Sequence, residues 1–146
     1  MLWRTTGRTG GNCVNAHQLL RPFAYLWVFP NTVLGLLFVL PALLSGGGVR
    51  FERGAIEVHG GITRFFLQHC LFVKASALCL GHAILGQDRE CLDHSRDHEH
   101  VHVKQYERWG PLMIPLYFLS SIQAWRRGQH FYFDNRFERE AYGLDD

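Results

Sequence analysis

The succession of apolar and polar positions marks out most of the elements. Residues 22–44 are apolar almost without interruption, broken only at Pro30-Asn31 and Pro41. About 20 consecutive apolar residues suffice to cross a bilayer, so this stretch is expected to be a membrane-associated helical segment, with Tyr25 and Trp27 as interfacial anchors. It reads as a single span, as a re-entrant pair broken at Pro30-Asn31, or as a long buried hairpin of a soluble core, since a helix interior tolerates proline badly. Ser45 and the three glycines after it close the segment. Residues 49–62 then alternate apolar and polar around Arg53-Gly54, a hairpin signal. Residues 63–74 fit a short amphipathic helix, and residues 75–86 read as one strand ending at Gly86-Gln87-Asp88.

A helix is expected from Asp88 or Arg89 to Trp109, stopped by Gly110-Pro111. Residues 112–125 form a second apolar run, too short to span comfortably and closed by Arg126-Arg127-Gly128. That pattern predicts a buried or membrane-surface helix. In the tail, Asp134 or Asn135 can cap a last helix carrying Glu138.

Length and charge narrow the picture. The 146 residues, without an internal repeat, make one domain. The division expected is a flexible basic arm over 1–21, the apolar segment over 22–44 and a metal-binding domain over 49–146. A cleavable signal peptide does not fit, because the apolar run exceeds an h-region and no small-residue cleavage site follows it. Net charge is +2, and the basic residues do not cluster with aromatics, so nucleic acid is not an expected partner. Arg4, Arg8 and Arg21 precede the apolar run and favour a cytoplasmic amino terminus. Cys13, Cys70, Cys79 and Cys91 show neither C-x-x-C spacing nor a dense framework, which points to free thiols or at most one bridge.

The chemistry concentrates in the helix ending at Trp109, which contains H-E-x-x-H as His98, Glu99 and His102. Residues four apart on a helix differ by about 40° in azimuth and about 6 Å in height, so both imidazoles can converge on one ion. Glu99 is rotated about 100° from His98, where it can reach a water in an open coordination position and act as general base. If the helix over 112–125 returns antiparallel, Glu138 can complete a His, His, Glu set. Its competing role is the carboxylate of a capping box with Asn135, and Glu140 is the alternative ligand should the last helix be rotated. His94 lies too far along the axis to join both histidines on one ion and is expected in an outer shell or at the surface. His100 points to the opposite side of the helix, and His82 sits on the preceding strand with its side unassigned. Tyr142, Tyr106 and His130 are candidates for stabilising an oxyanion.

On its H-E-x-x-H helix and late Phe137-Glu138-Arg139-Glu140-Ala141 motif, the stretch over about 75–142 resembles the gluzincin zinc peptidases. The likeness is nearest to the membrane-embedded HtpX and CAAX-protease type and to short bacterial relatives. The resemblance implies an α+β, zincin-like minimal catalytic core of edge strand, motif helix and third-ligand helix. It implies Zn²⁺ on His98, His102 and Glu138 with Glu99 as base. It also implies an edge strand for peptide substrate through Ala77, Leu78, Cys79, Leu80, Gly81, His82 and Ala83. Where the family has Asp after the alanine, orienting a ligand histidine, this chain has Tyr142. The function expected is membrane-associated, zinc-dependent peptide hydrolysis of a peptide or protein substrate. The alternative is a catalytically silent zincin-like subunit whose apolar segments contact lipid or a larger membrane complex.

Overall fold

The computed structural model describes residues 16–71 and 74–144. It is a mixed α+β fold: α1 (Ala16–Leu36), α2 (Val39–Leu44), β1 (Gly48–Glu52), β2 (Ala55–His59), α3 (Gly61–His69), β3 (Ala77–Leu80), β4 (Ala83–Gly86), α4 (Arg89–Trp109), α5 (Met113–Arg126) and α6 (Arg136–Ala141). The four strands form one sheet in the order β1-β2-β4-β3, with β2 and β4 parallel and the two outer pairs antiparallel.

Strand alternation sorts side chains to two covered faces. Val58 and Leu85, paired in register, meet Ala42 of α2 and Leu67 of α3 on one face. Cys79 and Ile84, also paired, join Val28, Leu92, Val103, Tyr106, Met113 and Phe137 on the other. All four residues of β4 are buried, the mark of a central strand covered on both sides.

The hairpin around Arg53-Gly54 forms as the pattern predicts. Both turn residues have positive φ, 49° and 88°, the pairing a tight two-residue turn demands. Residues 75–86, by contrast, are not one strand. Gly81 has φ 68° and turns the chain, so Ala77–Leu80 and Ala83–Gly86 pair as a second hairpin. A Cβ at Gly81 would fall 2.4 Å from the Thr32 hydroxyl, so α1 abuts this turn too closely for any side chain. The true sheet edge beside α4 is therefore Ala77, Leu78, Cys79 and Leu80; Gly81 and His82 are turn, and Ala83 belongs to β4 inside the sheet.

Two further expectations shift at the amino-terminal end. The last six residues of the expected arm, 16–21, are helical; residues 1–15, with Arg4 and Arg8, lie outside the described residues. The apolar run does not break at Pro30-Asn31. Helix α1 continues through Pro22 and Pro30 to Leu36, and the break comes at Leu37 and Phe38. Packing carries the helix past the missing N–H of Pro30: Val28 is fully buried, and Asn31 donates from Nδ2 to Gly110 O at 2.8 Å. The stretch Pro22–Leu44 is long and apolar enough to cross a membrane by length and composition, with mean hydropathy 1.9 and most of its side chains not buried.

A carboxylate inside the sheet ties the first hairpin to α4. Glu57 has no exposed surface and accepts from Arg50 Nε at 2.5 Å and from Arg96 Nε at 3.0 Å. Burial pushes its pKa up, but the two guanidiniums outweigh that and hold it below the usual carboxylate range. The folded value thus lies below the unfolded one. This pair contributes stability that is present above the unfolded pKa and lost as pH falls through the folded value. Glu57→Gln should cost about 2–3 kcal/mol, short of the loss for a fully buried pair because both arginines keep a solvent-facing edge. Urea melts at neutral and acid pH check this. A variant as stable as wild type at neutral pH would refute the role.

Candidate metal centre

Helix α4 owes its limits to local chemistry. The Asp88 carboxylate accepts from Cys91 N at 2.8 Å as N-cap, Glu90 lies in the positive first turn, and Gly110 ends the helix at φ 54°. The ring of Trp27 in α1 lies where a Cβ of Gly110 would stand, so this position needs glycine for space as well as for φ. Glu99, His102, Val103, Gln105 and Tyr106 are buried, turned toward the sheet and α6.

Helix α6 is held on α5 by its cap. Asn135, fully buried, accepts from Phe137 N through Oδ1 at 2.9 Å and donates from Nδ2 to Tyr117 O at 3.0 Å and Ser121 Oγ at 2.7 Å. With Phe137 packed in the core, Glu138 turns back toward α4. Its Oε2 lies 3.3 Å from His98 Nε2 and its Oε1 3.5 Å from His102 Nε2; the two Nε2 atoms are 3.1 Å apart. Ligand atoms from His98, His102 and Glu138 all lie within 4.8 Å of one another, and among the described residues no fourth His, Cys, Asp or Glu joins them. Of the two roles open to Glu138, the carboxylate goes to the histidines, while Asn135 N is satisfied by Tyr132 O.

Gln105 sets the state of His102. Its Nε2 donates to Phe137 O at 3.0 Å and to Glu140 Oε2 at 3.0 Å, which orients the amide with Oε1 toward His102 Nδ1, 2.8 Å away. Nδ1 must then be the protonated nitrogen, leaving Nε2 to offer a lone pair toward Glu138. Two imidazole nitrogens and a carboxylate facing one another form a group that could hold a metal ion. Buried atoms without a hydrogen-bond partner cluster here too: Glu138 Oε2, Glu99 Oε2 and His98 Nδ1. The donor set, two imidazoles and one carboxylate, is one zinc takes, and the residues fit such an ion.

The electrostatics agree. Burial opposes ionisation of Glu138, yet the neighbouring imidazoles of His102 and His98 and the hydrogen bond from Tyr117 outweigh it and hold the carboxyl far below its ordinary range. Burial alone would lower His102, but Glu138 and Glu99 together raise it. Glu99, 5% exposed, is pushed up by burial, only partly countered by His102 and His98. Its charge acts on the buried Cys79 thiol and on the phenols of Tyr106 and Tyr117, helping to push all three up.

The remaining sequence candidates fall in different places. Glu140 is not in the cluster; it accepts from Gln105 and from Arg108 at 3.2 Å. His94 is exposed on α4, away from the cluster. The ring of Tyr142 packs on His98 at 4.4 Å, half exposed. Tyr106 is buried against the sheet, and His130 accepts from Tyr132 N and Phe133 N in the loop before α6. His82 is buried in the β3-β4 turn, stacked on Tyr25 and 3.1 Å from Glu107. Cys70, Cys79 and Cys91 are free thiols, and Cys13 lies outside the described residues.

Three residues at the site were absent from the sequence reading. Gln105 stands three after His102, on the same helix face, and that spacing is a usable signal. Tyr117 donates to Glu138 Oε1 at 2.6 Å, and Tyr132 lies against Glu138 and Tyr142; both reach the site only because α5 and the following loop fold back. Comparison with protein-family profiles, with curated proteins and with solved structures found no match to this chain.

Proposed function

We propose that this chain is a membrane-associated, zinc-dependent peptidase of zincin-like plan, with the ion held by His98, His102 and Glu138. The observation that carries the reading is the convergence of two imidazole nitrogens and a buried carboxylate oxygen that has no other partner. A zinc ion there would supply Lewis-acid polarisation of a peptide carbonyl and a water acidic enough to ionise near neutral pH.

The chain's own residues supply the rest. Glu99 is the proton acceptor: its unpartnered Oε2 and raised pKa suit a base that must take a proton and give it back to a leaving amine. Gln105 keeps the His102 lone pair on Nε2, and Tyr117 steadies the Glu138 carboxylate. Tyr132 lies against Glu138 and Tyr142 against His98, two phenols that would be available to donate to a developing oxyanion. The edge strand Ala77–Leu80 packs on α4 through Cys79 against Val103 and Tyr106, and would offer an extended peptide main-chain partners.

Zinc content of the chain in mild detergent, measured beside hydrolysis of a quenched fluorescent peptide, tests the proposal. Bound zinc with chelator-sensitive hydrolysis is expected, and a chain that takes up no zinc on reloading overturns it. Zinc without hydrolysis favours the silent-subunit reading, to which the exposed apolar faces of α1 and α5 also lend support.

Gln105 gives a graded check. Gln105→Leu removes the partner of His102 Nδ1 and should weaken zinc binding by roughly 10–100-fold. It should also destabilise the metal-free fold by about 1–3 kcal/mol, because Phe137 O and His102 Nδ1 lose their partner. Competition with a chelating dye reads the first effect and a thermal melt the second; unchanged affinity would remove Gln105 from the site.

A further inference from the structure

On the other side of α6 from Glu138, a cleft of about 610 Å³ opens between α5 and α6. Phe137, next to the proposed ligand, forms part of its floor with Leu116 and Leu119, so one wall is apolar. Three guanidiniums line it, from Arg127, Arg136 and Arg139, against the single carboxylate of Asp134. That carboxylate already accepts from His130 N at 2.8 Å, and Arg139 keeps a bond to Leu144 O at 3.0 Å. The cleft therefore joins an excess of positive charge to an apolar wall.

Its surroundings say what kind of anion fits. Leu119 belongs both to the cleft and to the outward face of α5, where Phe118, Ile122 and Trp125 are also exposed. Gln123, one turn after Leu119, flanks that face on the cleft side, and Arg126 closes it. Helix α5 begins at the turn Gly110–Leu112, to which α1 is bonded through Asn31. The apolar surface of α5 thus starts beside α1, which carries most of the stretch Pro22–Leu44 that is long and apolar enough to cross a membrane, and ends in a tryptophan and two arginines, the composition of an interfacial helix end.

We propose that the cleft holds the headgroup of an anionic phospholipid, its phosphate on Arg127 and Arg136 and its acyl chains along Leu119 and the outer face of α5. This inference rests on the membrane placement of α1 and not on the metal reading. Arginine suits the task because its planar fork matches phosphate oxygens in pairs, and lipid tails satisfy an apolar face that water would not. With a lipid held there, the metal centre would lie close to the membrane surface and its substrates would be segments emerging from the bilayer.

The test is native mass spectrometry of the full chain released from non-ionic micelles holding equal amounts of phosphatidylglycerol and phosphatidylcholine. A phosphatidylglycerol adduct should exceed the phosphatidylcholine adduct about tenfold or more, as one fully engaged charged contact implies. Arg127→Gln with Arg136→Gln should abolish that preference, and Arg127→Lys with Arg136→Lys should restore part of it. Equal adducts on the wild type, or an unchanged preference in the folded glutamine variant, overturn the proposal. Displacement of the lipid by millimolar inorganic phosphate overturns it in favour of a simple anion site. Flotation with plain phosphatidylcholine vesicles reads the membrane placement of α1 separately: failure to float sinks that placement, whereas flotation without lipid preference sinks only the headgroup site.

Discussion

Glu138→Gln is expected to empty the metal centre while leaving the fold in place. The substitution keeps the shape of the side chain and an acceptor for Tyr117, but removes the negative charge that faces His98 and His102 at 3.3 and 3.5 Å. An ion left with two neutral imidazoles loses its only anionic protein ligand. The loss should exceed the roughly 10–100-fold that removal of an outer hydrogen-bond partner costs. Elemental analysis after reloading should show about one zinc per chain in wild type, as a three-ligand site implies, and almost none in the variant. Glu140→Gln is the matched control. Its carboxylate is spent on Gln105 and Arg108, so zinc should be retained. If Glu140→Gln rather than Glu138→Gln lost the metal, α6 would be rotated in solution and the proposed ligand set wrong.

Glu99→Gln separates binding from chemistry. Zinc should stay at the wild-type level, because Glu99 is not among the converging groups, while peptide hydrolysis should fall by about 10²–10⁴-fold, the usual contribution of a positioned general base. That range corresponds to about 2.7–5.4 kcal/mol of activation free energy. The same change should raise the melting temperature of the metal-free protein at neutral pH. Burial places the folded pKa of Glu99 above its unfolded value, so ionisation opposes the fold increasingly as pH rises from the unfolded pKa to the folded one. A neutral amide escapes that penalty, and the difference should vanish in acid, where both states are protonated. Unchanged hydrolysis would remove Glu99 from the mechanism. An unchanged melting temperature would mean that its carboxylate is hydrated.

How far the site could be read in advance differs from residue to residue. His98, Glu99 and His102 share a helix whose period places them without further help, and that helix is bounded by signals within a few residues of its ends. The resemblance singled out Glu138 and left Glu140 as the alternative, but helix spacing alone could not choose between them. They stand two apart on a short helix, about 200° in azimuth, and which one meets the two histidines depends on Phe137 entering the core. Gln105 was on the page as a residue three after a histidine, but its role needs Phe137 O and Glu140 from an element thirty residues away. The β3-β4 hairpin was hidden for a different reason. With both faces of β4 buried, the alternation that marks a strand disappears, and one glycine within an apolar run gives too little contrast to show the turn.

What the sequence determined by itself was local: the Arg53-Gly54 turn, the span of α4 from its aspartate cap to its glycine stop, the apolar character of Pro22–Leu44, and the pairing of two histidines on one helix face. Each follows from backbone geometry and side-chain spacing within one continuous stretch of some two dozen residues or fewer, where propensity and period act directly. Only the tertiary structure decided that α1 runs through two prolines, that the sheet edge is four residues long, and that Glu138 meets the histidines while Glu140 holds Gln105. Those outcomes depend on contacts between elements far apart in the chain, such as Asn31 on Gly110 and Asn135 on Tyr117 and Ser121. Burial and hydrogen-bond satisfaction across such contacts outweigh local preference.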